Sequence, residues 1–177
     1  MDQPPPNSAL TLAFLTVVEI PEVGTCGGML VLNQIGRPIE FHCSAPILPN
    51  RTQQILFGPT LKSFIYCDQV GGALLEQAKK KPDILLVDQS SLLELHTQTA
   101  IPVIFVGREE NGTSPLLENG KSVQNEKLED FFLTSISHGL SGRDWFRACQ
   151  NFAEQLPLDE PFERIRQAID EAQAVAR

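Results

Sequence analysis

Three short stretches of this sequence carry side chains able to do chemistry. The first, "KKPDILLVDQSS" (80–91), runs four apolar residues into Asp88. An acid at the end of an apolar strand has two readings. It caps the helix that follows, since Asp is among the preferred N-cap residues, or it is one ligand of a catalytic metal, since hard divalent cations take carboxylate oxygens. The second stretch, "EFHC" (40–43), puts Glu40 and His42 on one side of a strand through its period-two alternation. That pair could hold a metal or act as an acid–base couple; equally, it is an ordinary solvated strand face. The third, Asn50 and Arg51, follows a proline-containing loop able to return over that face, where Arg51 would grip a carboxylate or a phosphate. His96 falls on a short helical pattern and is expected at the surface, and "KKK" (79–81) reads as a charged helix end favoured by the macrodipole.

The elements that must position these residues follow from hydrophobic pattern and turn chemistry. Residues 10–20, "LTLAFLTVVEI", form a nearly continuous apolar run that predicts a strand buried on both faces. "GMLVLN" (28–33) and "RPIEFHC" (37–43) predict two more strands, joined by a hairpin in which Gly36 is free to take positive φ. Ile39, Phe41 and Cys43 should share one face of the third strand, with Cys43 as small core filler. "RTQQILFG" predicts a short helix stopped at Gly58-Pro59, and residues 60–81 continue with apolar positions at helical spacing. Gly71-Gly72 in its middle weakens that helix or marks close packing on the sheet.

"DILLVD" (83–88) and "IPVIFVG" (101–107) read as buried parallel strands around a short helix at 89–98 that Ser90 or Ser91 could cap. Residues 108–127 are charged and turn-rich and predict a mobile loop. Residues 129–137 suit a strand or an amphipathic element. Residues 141–156 predict a helix with Trp145, Phe146, Cys149 and Phe152 on one stripe, and a last helix starts near Pro161. The expected architecture is α/β: a mixed sheet of three antiparallel strands followed by two parallel strands with helices. It forms a single domain over 10–177, with a disordered lead at 1–9. This is the ribonuclease-H-like element order.

The bulk numbers exclude some classes. With 177 residues the chain can bury a full core. A net charge of −8 disfavours nucleic acid as a partner without excluding a local basic groove. No apolar run reaches the ~20 residues that span a bilayer. The four cysteines lack any C-x-x-C pair, so a zinc knuckle is not expected. No export signal is visible, which points to reduced thiols and a cytoplasmic location.

In local detail residues 10–110 resemble endonuclease V, a metal-dependent nuclease. "KKPDILLVDQSS" is similar to that family's strand beginning Pro-Asp and ending in an Asp before a short helix, and "AIPVIFVGREE" to its next strand. The resemblance implies a site of three acids at Glu19, Asp68 and Asp88 holding Mg²⁺ or Mn²⁺ for phosphodiester hydrolysis. The chain departs from the family in three places: Glu19 stands where the family has Asp, Asp68 where it has Glu, and Gln89-Ser90-Ser91 where it has Gly-His-Gly. The departures and the acidic charge favour a non-catalytic binding or assembly module on this scaffold, with a protein partner or a second copy as what it binds. A divergent Mg/Mn-dependent nuclease is the alternative.

Overall fold

A computed structural model of the chain describes residues 10–108, 123–136 and 142–176. The predicted lead at 1–9 lies outside the described residues, as does 109–122 of the predicted loop. Three strands come first: β1 (Thr11–Ile20), β2 (Gly24–Asn33) and β3 (Pro38–Cys43). They pair as an antiparallel meander, and Gly36 in the β2–β3 turn takes φ 77°. A register shift between Val31 and Leu32 leaves Ile39 in a bulge near the start of β3.

The helical segment that follows breaks once, at Gly58, and changes pitch along its length. α1 (Arg51–Phe57) leads through a 3₁₀ turn at Gly58–Thr60 into the short α2 (Leu61–Ser63). A π-helical stretch, Phe64–Gly71, then runs into α3 (Gly72–Gln77). Gly58 ends α1 as the sequence predicts, as a C-cap with φ 49° and ψ −124°, and the glycine pair at 71–72 is where the wide π turns relax back to α. Gly71 owes its place to contact: a Cβ there would meet the Leu95 side chain at 2.8 Å.

β4 (Ile84–Val87) and β5 (Val103–Arg108) are parallel to β1, joined by a 3₁₀ helix at Ser90–Thr97. β6 (Val123–Leu128) and β7 (Phe131–Ile136) form a hairpin that extends the sheet antiparallel to β5. The polar loop therefore stops short of Lys127. "VQNEKL" has apolar residues only at its two ends, which suits an edge strand paired on one side with β7. Among the described residues the sheet has seven strands in the order β3-β2-β1-β4-β5-β7-β6. α4 (Gly142–Ala153) and α5 (Glu160–Val175) close the chain.

Two apolar cores lie on the two faces of this sheet. On one, Leu12, Phe14, Leu86 and Ile104 pack against Trp145, Cys149 and Phe152 of α4 and Phe162, Ile165 and Ile169 of α5. On the other, Ala13, Leu15, Val17 and Val87 pack against Ile65, Val70 and Leu74 and against Leu92, Leu93 and Leu95 of the 3₁₀ helix. β1 feeds both cores by alternation, which is why it reads as nearly continuous apolar sequence.

β2 meets both helical layers at one point. A Cβ on Gly27 would lie 2.4 Å from Cγ1 of Val70, and one on Gly28 would lie 2.4 Å from Cγ2 of Ile165. Both contacts are with β-branched side chains that have little rotamer freedom. Gly28→Ala is accordingly expected to lower the unfolding free energy by about 1–3 kcal/mol through overpacking, read as a fall in the urea midpoint.

Candidate functional site

The seam between β1 and β4 is built from the stretch that ends in Asp88. Only four pairs, Leu12↔Ile84 to Leu15↔Val87, form its ladder. Side chains extend it at both ends. At the start, the Asp83 carboxylate accepts from the main-chain N–H of Thr11 (2.7 Å) and from its hydroxyl (3.1 Å). At the finish, the Gln89 side-chain amide takes the place of a peptide: its Oε1 accepts from Val17 N–H (3.0 Å) and its Nε2 donates to Val17 C=O (2.9 Å).

Asp88 sits between β4 and that clasp, at the C-terminal end of the strand, where open α/β sheets place their sites. Its side chain turns to the α5 face, beside the fully buried Thr16 of β1, and forms an ion pair with Arg166 of α5. The same guanidinium lies 3.5 Å from the Thr16 hydroxyl and 3.7 Å from the Glu163 carboxylate. Asp88 Oδ1 is buried and accepts no hydrogen bond. Burial holds this carboxyl above the usual carboxylate range, while Arg166 and the Thr16 hydroxyl pull the other way. Asp88 does not cap the 3₁₀ helix, and neither Ser90 nor Ser91 does; the N-cap position belongs to Gln89, whose amide is committed to β1.

The other two acids of the implied triad are held elsewhere. Glu19, exposed at the end of β1, accepts from the Tyr66 hydroxyl (2.7 Å) on the opposite face of the sheet from Arg166. Burial and that carboxylate raise the Tyr66 phenol's pKa. Asp68 is exposed on the π-helical stretch and accepts from Gln98 Nε2 (2.8 Å). Glu19, Asp68 and Asp88 are thus tied to three different partners. Among the described residues, no group of three His, Cys, Asp or Glu side chains is arranged to hold a metal ion. The donor set therefore does not fit a divalent ion: its one buried carboxylate already faces a guanidinium.

On β3 the expected pair is present. His42 Nε2 lies 2.9 Å from Glu40 Oε2. The Glu40 carboxylate also accepts from the main-chain N–H groups of Lys79 (3.0 Å) and Lys80 (2.9 Å). The hydrogen bonds from His42 and from Lys79 hold its carboxyl below the usual range. The bonds from Lys79 and Lys80 tie the residues after α3 to the sheet. Asn50 and Arg51 do not join the pair. Asn50 is the N-cap of α1 in a capping box with Gln53, and Arg51 is exposed in the first turn. Among the described residues no hydrogen bond or ion pair links either to Glu40 or His42.

His96 is buried, not exposed, with Nδ1 2.7 Å from Leu93 C=O; side chains three apart eclipse in a 3₁₀ helix, so it stacks over the buried Leu93. All four cysteines are free, with Cys43 only half-buried. Burial pushes the thiol of Cys26 up to about 11 and that of Cys149 up to about 12.

Thr16 and Arg166 are the site residues that sequence reasoning missed. The signal for Thr16 was its polarity inside "LAFLTVV", and for Arg166 its place on the face of α5 next to Ile165. A cleft of about 350 Å³, lined by Leu75, Glu76, Lys81, Pro82, Gln98 and Ile101, opens at the other end of the parallel strands, away from Asp88.

Among the described residues, a mixed seven-stranded sheet covered by helices on both faces, with β1 beside the central β4, is a ribonuclease-H-like fold. Within that class the chain is similar to solved structures of endonuclease V. The catalytic domain of human endonuclease V superposes with a TM-score of 0.55 at 12% identity, over 94% of this chain and 85% of that one. Ciona intestinalis endonuclease V, solved with a 23mer DNA containing an inosine followed by a ribo-adenosine, gives 0.55 at 13% identity, over 93% of this chain and 87% of that one. At these identities the likeness establishes the fold. No protein-family model matches the chain, and no curated protein matches it by sequence. Among the described residues no helix is long and apolar enough to cross a membrane.

Proposed function

We propose that this chain is a non-catalytic binding or assembly module on an endonuclease V-like scaffold. The observation that carries the reading is the Asp88–Arg166 pair. At the strand end where such a scaffold would hold a cation, a guanidinium from α5 already neutralises the carboxylate, and the neighbour on β1 is the hydroxyl of Thr16. The reading is tested with the purified chain and Mn²⁺ or Mg²⁺, on single-stranded and inosine-containing DNA and RNA. The expected result is no cleavage beyond that of Asp88→Ala, and no heat of Mn²⁺ binding that Asp88→Ala removes. Metal-dependent cleavage that disappears in Asp88→Ala would overturn it.

The second reading is a divergent Mg/Mn-dependent nuclease using Glu19, Asp68 and Asp88. Its support is the unpartnered, buried Oδ1 of Asp88, an oxygen with room in its chemistry for one more ligand. It requires Glu19 to leave Tyr66 and Arg166 to leave Asp88 before an ion could bind.

A further inference from the structure

The cleft of about 350 Å³ at the far end of the parallel strands has two walls of opposite chemistry. One wall is helical. Gly72 and Glu76 stand a turn apart on α3, so they share a face. Gly72 leaves room on that face for the side chain of Gln98: a Cβ on it would lie 2.8 Å from Gln98 Oε1. Gln98 Nε2 is committed to Asp68, which fixes the amide and leaves Oε1 over Gly72 as a hydrogen-bond acceptor. Among the described residues no group donates to that oxygen or to the Glu76 carboxylate. This wall therefore offers two acceptors, one of them charged.

The other wall comes from the chain that leads into β4 and β5. Leu85 pairs with Val103, and counting back equally from each sets Lys81 beside Thr99 on neighbouring segments. The Thr99 hydroxyl accepts from Ile101 N–H (3.3 Å), which leaves its own proton to donate. Lys81 is exposed and, among the described residues, pairs with no acid, Glu76 included. This wall offers two donors, one of them charged, and the opposite charges face one cleft without joining. The floor between them is apolar: Pro82 is buried, and Leu75 and Ile101 pack half-buried on the core behind.

We infer that this cleft binds a small zwitterion with an apolar side chain, an α-amino acid of the leucine or phenylalanine kind. Its ammonium group donates to Glu76 and to Gln98 Oε1. Its carboxylate accepts from Lys81 and from Thr99. Its side chain lies on Leu75, Pro82 and Ile101. A ligand with only one of the two charges would cover the opposite wall and leave its polar groups without partners, so both charges are required. The volume is at the low end for small-molecule sites, in keeping with a ligand of this size. The length of β4 separates the cleft from Asp88, so the inference stands independently of how that residue is read.

Isothermal titration calorimetry of the full chain with L-leucine and with L-phenylalanine tests the inference. Isoamylamine and phenethylamine serve as amine-only analogues, isocaproate and hydrocinnamate as carboxylate-only ones. At least one of the amino acids is expected to bind saturably, with its single-charge analogues weaker by about tenfold or more. Glu76→Gln and Lys81→Met, both at exposed positions, should each weaken that binding about tenfold at an unchanged urea midpoint. Gly72→Ala should weaken it as well, because the added methyl displaces the Gln98 amide. No saturable binding of either amino acid up to about 10 mM overturns the inference. So does a single-charge analogue that binds as tightly as its parent, or binding that Glu76→Gln and Lys81→Met both leave unchanged.

Discussion

Phe162→Ala lowers the unfolding free energy by about 3–5 kcal/mol, the range for removing a buried aromatic side chain together with the cavity it leaves. Phe162 is fully buried in the first turn of α5, with its ring edge-on to Phe14 at a centroid distance of 5.4 Å. Phe14 in turn lies 5.2 Å from Phe152 of α4, so a single aromatic trio fastens both C-terminal helices to β1. The neighbouring Ile165 cannot slide in to fill the space, because its Cγ2 is already set against Gly28. Urea unfolding should show a lower midpoint at an unchanged slope. A loss below about 1 kcal/mol would mean that the core collapses around the gap and that α5 is held chiefly by its other contacts.

Arg166→Met has the second largest expected effect, and that effect depends on pH. Removing one partner of a buried ion pair strands the other; the full penalty is about 3–5 kcal/mol. Arg166 is 38% exposed, so water screens part of the interaction and about 2–3 kcal/mol is expected near neutral pH. The sign with pH follows from Asp88. Its folded-state pKa lies above the ordinary carboxylate value, so between those two values the folded chain holds more of the proton than the unfolded one. Stability therefore falls as pH rises through that window. Loss of Arg166 removes a cause that lowers the folded value, which extends the window upward. The deficit of the variant should be largest near neutrality and shrink as the solution is made acidic and Asp88 becomes neutral. Urea midpoints of both proteins at about pH 7 and about pH 4.5 decide it. A deficit that does not change with pH would mean that Arg166 serves through the packing of its methylenes on β1 and not through its charge.

The order of elements was legible because β1, β4 and β5 are buried on both faces over most of their length and read as near-continuous apolar runs. The α4 stripe was legible for the same kind of reason, since Trp145, Cys149 and Phe152 recur at helical spacing and all are buried. The β6–β7 hairpin was only half visible: β7 reads as apolar, but β6 is an edge whose polar residues match a loop as well as a strand. The site escaped for a different reason. Asp88 was identifiable as an acid at a strand end, yet its neighbour on β1 depends on a parallel register, and no local pattern encodes that register. Glu19 and Thr16 stand an odd number of positions apart on β1, so alternation sends Glu19 beside Tyr66 and Thr16 beside the Asp88–Arg166 pair on the other face. Arg166 lies 78 positions further along the chain, and its pairing is set by where Ile165 and Ile169 seat α5.

Gln89 gives the end of the β1–β4 seam a property that ordinary strand pairing lacks. Every peptide rung of a sheet is common to all sequences, proline aside, so it cannot be edited without changing the chain's path. The rung at Val17 is made by a side chain and is therefore heritable: it is present because codon 89 specifies glutamine, and absent if that codon specifies leucine. It also has rotamers. The last tie between these two strands can swing open by turning about χ angles while every main-chain dihedral of the sheet stays where it is.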